Sequence, residues 1–227
     1  MNTIYERLVN LPIFKGAGKE LITSFVEKTP LDFISYYPGE VIIEENRPCD
    51  EVICLVSGSV RRRRYFCAGQ LIVNDVLHAG SMLGLENLYG LHTKFGMNIV
   101  ADSEVGVMQF DKHNLFHWLL NSKLLLINTL NYLSRNAQNG TDALMSHGMR
   151  EIESELSYLV QIATSPSSTN ISITTPNIPI EEFMAPQGKT HRPLLNRLIE
   201  SGLITMPDSH TIDIASRCAL LDAFREE

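Results

Sequence analysis

The stretch YYPGEVIIEENRPCDEVICLVSGSV, residues 36–60, decides the fold class. Pro38-Gly39 interrupts two runs rich in β-branched and aromatic side chains; Asn46-Arg47-Pro48 interrupts the chain again, and Ser57-Gly58 a third time. Punctuation at that interval separates short strands, and Gly39 and Gly58 stand where tight connections call for positive φ. The rhythm extends outward through FISYY, VRRRRYF, LIVNDVL, MNIVA and EVGVMQF, with turns at Ala68-Gly69, Gly80 and Asp102-Ser103. About seven or eight strands so spaced predict an antiparallel β jelly roll or barrel.

On either side the period changes. Ile4, Leu8, Leu11, Leu21, Ile22, Phe25 and Val26 recur at helical steps before the strands. After them, a helix is predicted over about 111–140, with a break near Asn121-Ser122. Its later part is apolar on more than one side, which suits a helix covered by its own barrel on one flank and by another subunit on the other; burial within one chain is the competing reading. Leu126, Leu130, Leu133 and Ala137 are the candidate dimer seam. Beyond Gly148, REIESELSYLVQIA reads as a helix, SPSSTN as a loop and ISITT as a strand; IPIEEFMA and PLLNRLIES read as two short helices, and GLITM with HTIDI as a hairpin around Pro207-Asp208-Ser209. That order is a winged helix-turn-helix. The expected class is therefore α+β in two domains: 1–148, a jelly roll with a dimerisation helix, and 149–227, a winged helix-turn-helix.

The 227 residues, 44% apolar and 20% charged, describe a globular protein. No stretch is long and apolar enough to cross a bilayer and no secretion signal opens the chain, so no membrane partner and a cytoplasmic location are expected. Cys49, Cys54, Cys67 and Cys218 contain no CxxC pair, so free thiols are expected rather than a zinc or iron–sulfur site. The net charge of −7 repels nucleic acid at long range, which makes any DNA contact a local one.

A jelly roll, a long apolar helix and a winged helix, in that order, resemble the bacterial Crp/Fnr family of transcription regulators. The residues that carry the likeness are LPIFKG near the start, YYPGEVIIEENRPCDEVICLVSGSV, GSMLG at 80–84, SRNAQ at 134–138 and RLIESGLI at 197–204. The resemblance implies a homodimer that binds double-stranded DNA under the control of an effector, with RNA polymerase as a protein partner. In relatives that bind cyclic nucleotides, a Gly-Glu-Leu segment meets the ribose and an Arg-Ser or Arg-Thr pair grips the phosphate, because a buried phosphate needs a cation and several donors. Here Gly84-Leu85-Glu86 puts Leu85 in place of the carboxylate, and the arginine position falls near Phe95-Gly96. Glu86 and Lys94 each lie one residue from where they are needed, and on a strand that step turns a side chain to the opposite face. Cyclic AMP and cyclic GMP are therefore not expected. Leu85, Tyr89 and Phe95, with Glu86 and Lys94, are the candidate effector pocket, filled by its own side chains or by an effector of unknown identity.

RRRR at 61–64 resembles a binding patch, yet on a strand Arg61 and Arg63 face one way and Arg62 and Arg64 the other; pairing with acidic neighbours across the sheet, or a solvated surface, is expected. His113 and His117 have i, i+4 spacing on a helix but no third ligand, so no metal site is expected. Haem, bound by some relatives, could take His78, His92 or either of these, and the spacing singles out none. Without a nucleophile motif, phosphate loop or paired carboxylates, no enzymatic activity and no cofactor are expected.

For DNA reading, the family's usual recognition-helix arginines align with Gly188 and Pro193, neither of which donates from its side chain. Pro193 suits a first helical turn, so a shortened helix is expected from about Arg192 with Thr190 or His191 as cap. Lys189, Thr190, His191, Arg192, Asn196 and Arg197 are the candidate DNA contacts, set in a segment where, from residue 149 on, 6 basic residues face 11 acidic ones. The alternative is a degenerate winged helix kept for dimer or protein contacts.

Overall fold

Every β-rich run of the first half becomes a strand. In the computed structural model, which describes residues 4–146, 152–184 and 192–224, the chain divides into two units. One comprises Met1–Arg61 and Leu77–Arg135, the other Arg62–Val76 and Asn136–Glu227.

In the first unit, α1 (Ile4–Val9) and α2 (Lys19–Lys28) precede β1 (Asp32–Tyr36), β2 (Val41–Ile43), β3 (Glu51–Ser57), β4 (Ser59–Phe66), β5 (Leu71–His78), β6 (Met82–Leu83), β7 (Asn98–Ala101) and β8 (Val105–Asp111). One antiparallel sheet has the order β1-β8-β3-β6; in the other, β7 lies between β2 and β4. The two contribute to one apolar core with the buried faces of α1 and α2. Val52 to Val56 of β3 are all buried, since α1 and α3 (Lys112–Asn121) also pack on this strand, so the usual alternation disappears there. Gly58 turns β3 into β4 at φ +80°, and a Cβ at that position would overlap the Glu104 carbonyl.

The predicted break near Asn121-Ser122 falls at Ser122, whose extended backbone ends α3; its hydroxyl accepts from the Leu125 N–H at 3.4 Å and starts α4 (Lys123–Ser146). This helix continues past Gly140, a residue that a helix tolerates at a cost of about 1 kcal/mol. Leu125 is fully buried, and the Asn128 amide donates to the Ile13 and Lys15 carbonyls at 3.0 and 2.8 Å.

The second unit contains α5 (Ile152–Ala163), β9 (Thr169–Thr174), α6 (Ile180–Met184), α7 (Arg192–Glu200), β10 (Ile204–Asp208), β11 (Thr211–Ser216) and α8 (Arg217–Ala223). Its strands follow the order β10-β11-β9-β5-β4. The hairpin extends through Pro207-Asp208, which the sequence assigned to the turn; β10 is an edge strand, where a missing N–H is tolerated. The RLIESGLI motif has a specific local cause. Gly202 takes φ +72°, Leu203 N–H bonds back to Leu198 and Gly202 N–H to Ile199, both at 3.0 Å, so the motif closes α7 with a Schellman turn. Residues 62–76, read from the sequence as part of the first domain, contribute Leu71 and Val73 to the core of this second unit.

Candidate functional site

The segment 80–96 closes on itself. Gly84 is left-handed at φ +73° and begins a single turn over Leu85–Asn87. Leu85 points into the core, and Phe95, 1% exposed, lays its ring so close to Gly84 that a Cβ there would overlap it. The Phe95 N–H and carbonyl are both used, bonding to the Arg47 carbonyl at 2.9 Å and to the Asn46 N–H at 2.7 Å, which fixes the ring from its backbone. Arg47 lies 5.6 Å from the ring centroid and pairs with Glu51 at 2.8 Å. From the sequence Arg47 reads only as part of a turn. The thiol of Cys49 donates to the Gly84 carbonyl at 3.5 Å; burial, reinforced by the Glu86 carboxylate, pushes its pKa up to about 11.

The five candidate pocket residues differ in exposure. Leu85 and Phe95 are buried, whereas Glu86, Tyr89 and Lys94 are exposed. Tyr89 stands outside the core and donates its hydroxyl to the Lys112 carbonyl at 3.1 Å, because a phenol is more readily placed where its O–H finds a partner. Lys94 forms an isolated bridge with Pro48 through its backbone, leaving the ammonium in solvent.

His113 is exposed and meets the carboxylate of Asp111, the N-cap of α3, at 2.7 Å; His117 is exposed one turn on. No group of three or more metal-ligating side chains occurs among the described residues. Cys49, Cys54 and Cys218 are free thiols.

Of the candidate DNA contacts, Lys189, Thr190 and His191 lie outside the described residues. The helix α7 begins at Arg192 with Pro193 in its first turn, as its sequence requires. Leu195 and Leu198 are buried, and Arg192, Asn196 and Arg197 are exposed on the remaining surface. Arg192 is 74% exposed and stands 4.0 Å from Glu181. At that exposure the pair is screened and leaves the guanidinium available.

Along α4, Leu125, Thr129 and Tyr132 face the core, while Leu126, Ile127, Leu130 and Leu133 remain between 36% and 53% exposed. Leu126, Leu130, Leu133 and the exposed Ala137 recur at steps of four and three, the spacing of a coiled-coil seam.

Residues 33–122 match the family model of the cyclic nucleotide-binding domain. They carry its fold. The chain is similar in structure to the Thermus thermophilus catabolite activator protein, with 18% identity, a TM-score of 0.53 and coverage of 94% of this chain and 97% of that one. It is also similar to the sensor domain of the transcriptional regulator DNR from Pseudomonas aeruginosa, with 14% identity and a TM-score of 0.50, over 64% of this chain and 93% of that one. No curated protein sequence matches the chain. Among the described residues no helix is long and apolar enough to cross a membrane.

Proposed function

We propose that the protein is a sequence-specific DNA-binding transcription regulator of the Crp/Fnr type. It dimerises through α4, reads DNA with α7 of a winged helix-turn-helix, and responds to something other than a cyclic nucleotide. The observation that carries this reading is α7. An amphipathic helix stands ahead of a two-stranded hairpin, holds its leucines in the core and turns Arg192, Asn196 and Arg197 to solvent, the arrangement needed to meet a major groove. The exposed leucine stripe of α4 supports a two-fold partner, since an apolar row at that spacing is what a second copy would cover. The Phe95 ring beside Gly84 supports the exclusion of cyclic nucleotides: a phosphate placed there would have to displace a fully buried aromatic side chain, and Arg47, which lies over that ring, is already paired with Glu51. The reading includes no catalysed reaction and no resident cofactor.

Selection of bound sequences from random duplex DNA, followed by salt titration on the best site, tests it. An operator should emerge, and affinity should fall linearly with log salt. Arg192→Ala should weaken binding and reduce the slope by about one if the residue meets a phosphate. Recovery of no preferred sequence would favour the alternative, a protein-interaction module that no longer reads DNA, which the acidic balance of the C-terminal segment also suits.

A further inference from the structure

The segment 62–76 belongs to the second unit in three separate ways. Its strand β5 pairs antiparallel with β9, matching Ile72 to Thr174, Val73 to Ile173 and Asn74 to Ser172. On the inner face, Leu71 and Val73 share a core with Leu156, Val160, Ile171 and Ile173. Between these, Arg62 and Asp75 form a two-pronged pair, with Nε to Oδ1 at 2.9 Å and Nη2 to Oδ2 at 2.5 Å.

That pair is buried: Arg62 is 3% and Asp75 1% exposed. It is completed by Ser168, in the loop between α5 and β9. The hydroxyl donates to Asp75 Oδ2 and accepts from Ser165 N–H at 2.9 Å and Arg62 Nη2 at 3.5 Å. Arg64 donates to the Ala163 carbonyl at 3.2 Å, at the last residue of α5. A buried ion pair gains little over apolar side chains of the same size, because desolvation consumes most of the attraction. What it supplies is selectivity: sliding β5 by one residue along β9 would turn Asp75 to the other face and take it from the Ser168 hydroxyl.

We propose that residues 62–76 are a releasable strand of the second unit, held in one register by Arg62, Asp75 and Ser168, and that seating or release of this strand is the control input to the DNA-reading unit. The strands themselves supply the connection, since β4 starts at Ser59 and β5 ends at His78, both in the first unit. A displacement of either strand is delivered through the covalent backbone to the edge of β9. With β5 withdrawn, β9 would become an open edge with unpaired amides. The control role rests on the DNA-reading proposal; the strand and its pin do not.

Hydrogen exchange on the intact protein tests both parts, with Asp75→Ala to break the pair and Ser168→Ala as a milder variant that keeps it. Asp75→Ala should raise exchange at least tenfold in 62–76 and 169–174, leaving 51–57 and 105–111 at wild-type rates. Ser168→Ala should raise it severalfold in the same two segments only. An unchanged rate at 169–174 in both variants, or an even rise across both units in both, overturns the proposal. Operator affinity is measured on the same Ser168→Ala sample. A severalfold change with 51–57 protected supports the control role, and wild-type affinity despite faster exchange at 169–174 overturns it. If the wild-type protein selects no DNA at all, the regulator reading fails while the exchange result still judges the pin.

Discussion

Around Gly84 the first unit buries an aromatic ring, whereas around Asp75 the second unit buries a complete ion pair. Both places are closed to solvent, but they are closed by different physics. A ring beside a glycine needs only the right volume, and its removal from water is favourable in itself. An ion pair must find every partner at once, since each charge left unmatched is costly. The first arrangement fills a space; the second fixes an alignment.

The largest effects should come from removing one half of that contrast at a time. Asp75→Ala strands Arg62 and should cost about 3–5 kcal/mol in chemical denaturation, while replacing both partners, Arg62→Met with Asp75→Leu, should recover most of it. Failure of the double variant to recover would mean that the pair contributes more to stability than to register. Phe95→Ala should cost about 3–5 kcal/mol as well, by leaving a cavity next to Gly84, and should still give no heat of binding with cyclic AMP. Appearance of binding would show that the ring alone excludes the nucleotide.

A smaller effect of opposite sign is expected at Thr129, whose buried hydroxyl has no partner among the described residues. Thr129→Val keeps the shape and should stabilise by about 1 kcal/mol, read as a rise in melting temperature. Alkylation at pH 8 should label Cys218, which is exposed, well before Cys49 and Cys54, whose burial raises their pKa to about 11 and about 12. The smallest effect belongs to Asp111. Its carboxyl is held below the usual range by the His113 N–H, then by the His113 ring, so its contribution is present above the ordinary carboxylate pKa and is lost as pH falls through the lowered one. The stability gap between wild type and Asp111→Ala should close on that acidic side.

The strands of the first unit were legible because proline and glycine mark their ends, and the break at Ser122 because a serine there can cap a new helix. The face of α7 was legible because Leu195 and Leu198 must share one side. The alternation of RRRR correctly separated Arg62 from Arg61 and Arg63, and the expected acidic neighbour is Asp75. Its burial was not legible. Periodicity says which residues share a face, and only pairing with β9, about a hundred residues away, makes that face an interior. The same reason hid the assignment of 62–76, since a strand looks alike whichever sheet it completes. The partner of the Tyr89 hydroxyl, the Lys112 carbonyl, was not legible either, because it lies on an element 23 residues further along the chain.

Asn128 grips two carbonyls close to the amino terminus, at Ile13 and Lys15, from the same helix that carries the outward leucine row. The beginning of the chain therefore sets the rotational phase of that row. In the proposed dimer, a substitution such as Asn128→Ala that loosens this clasp would turn the leucine row relative to a second copy while leaving every one of its residues intact.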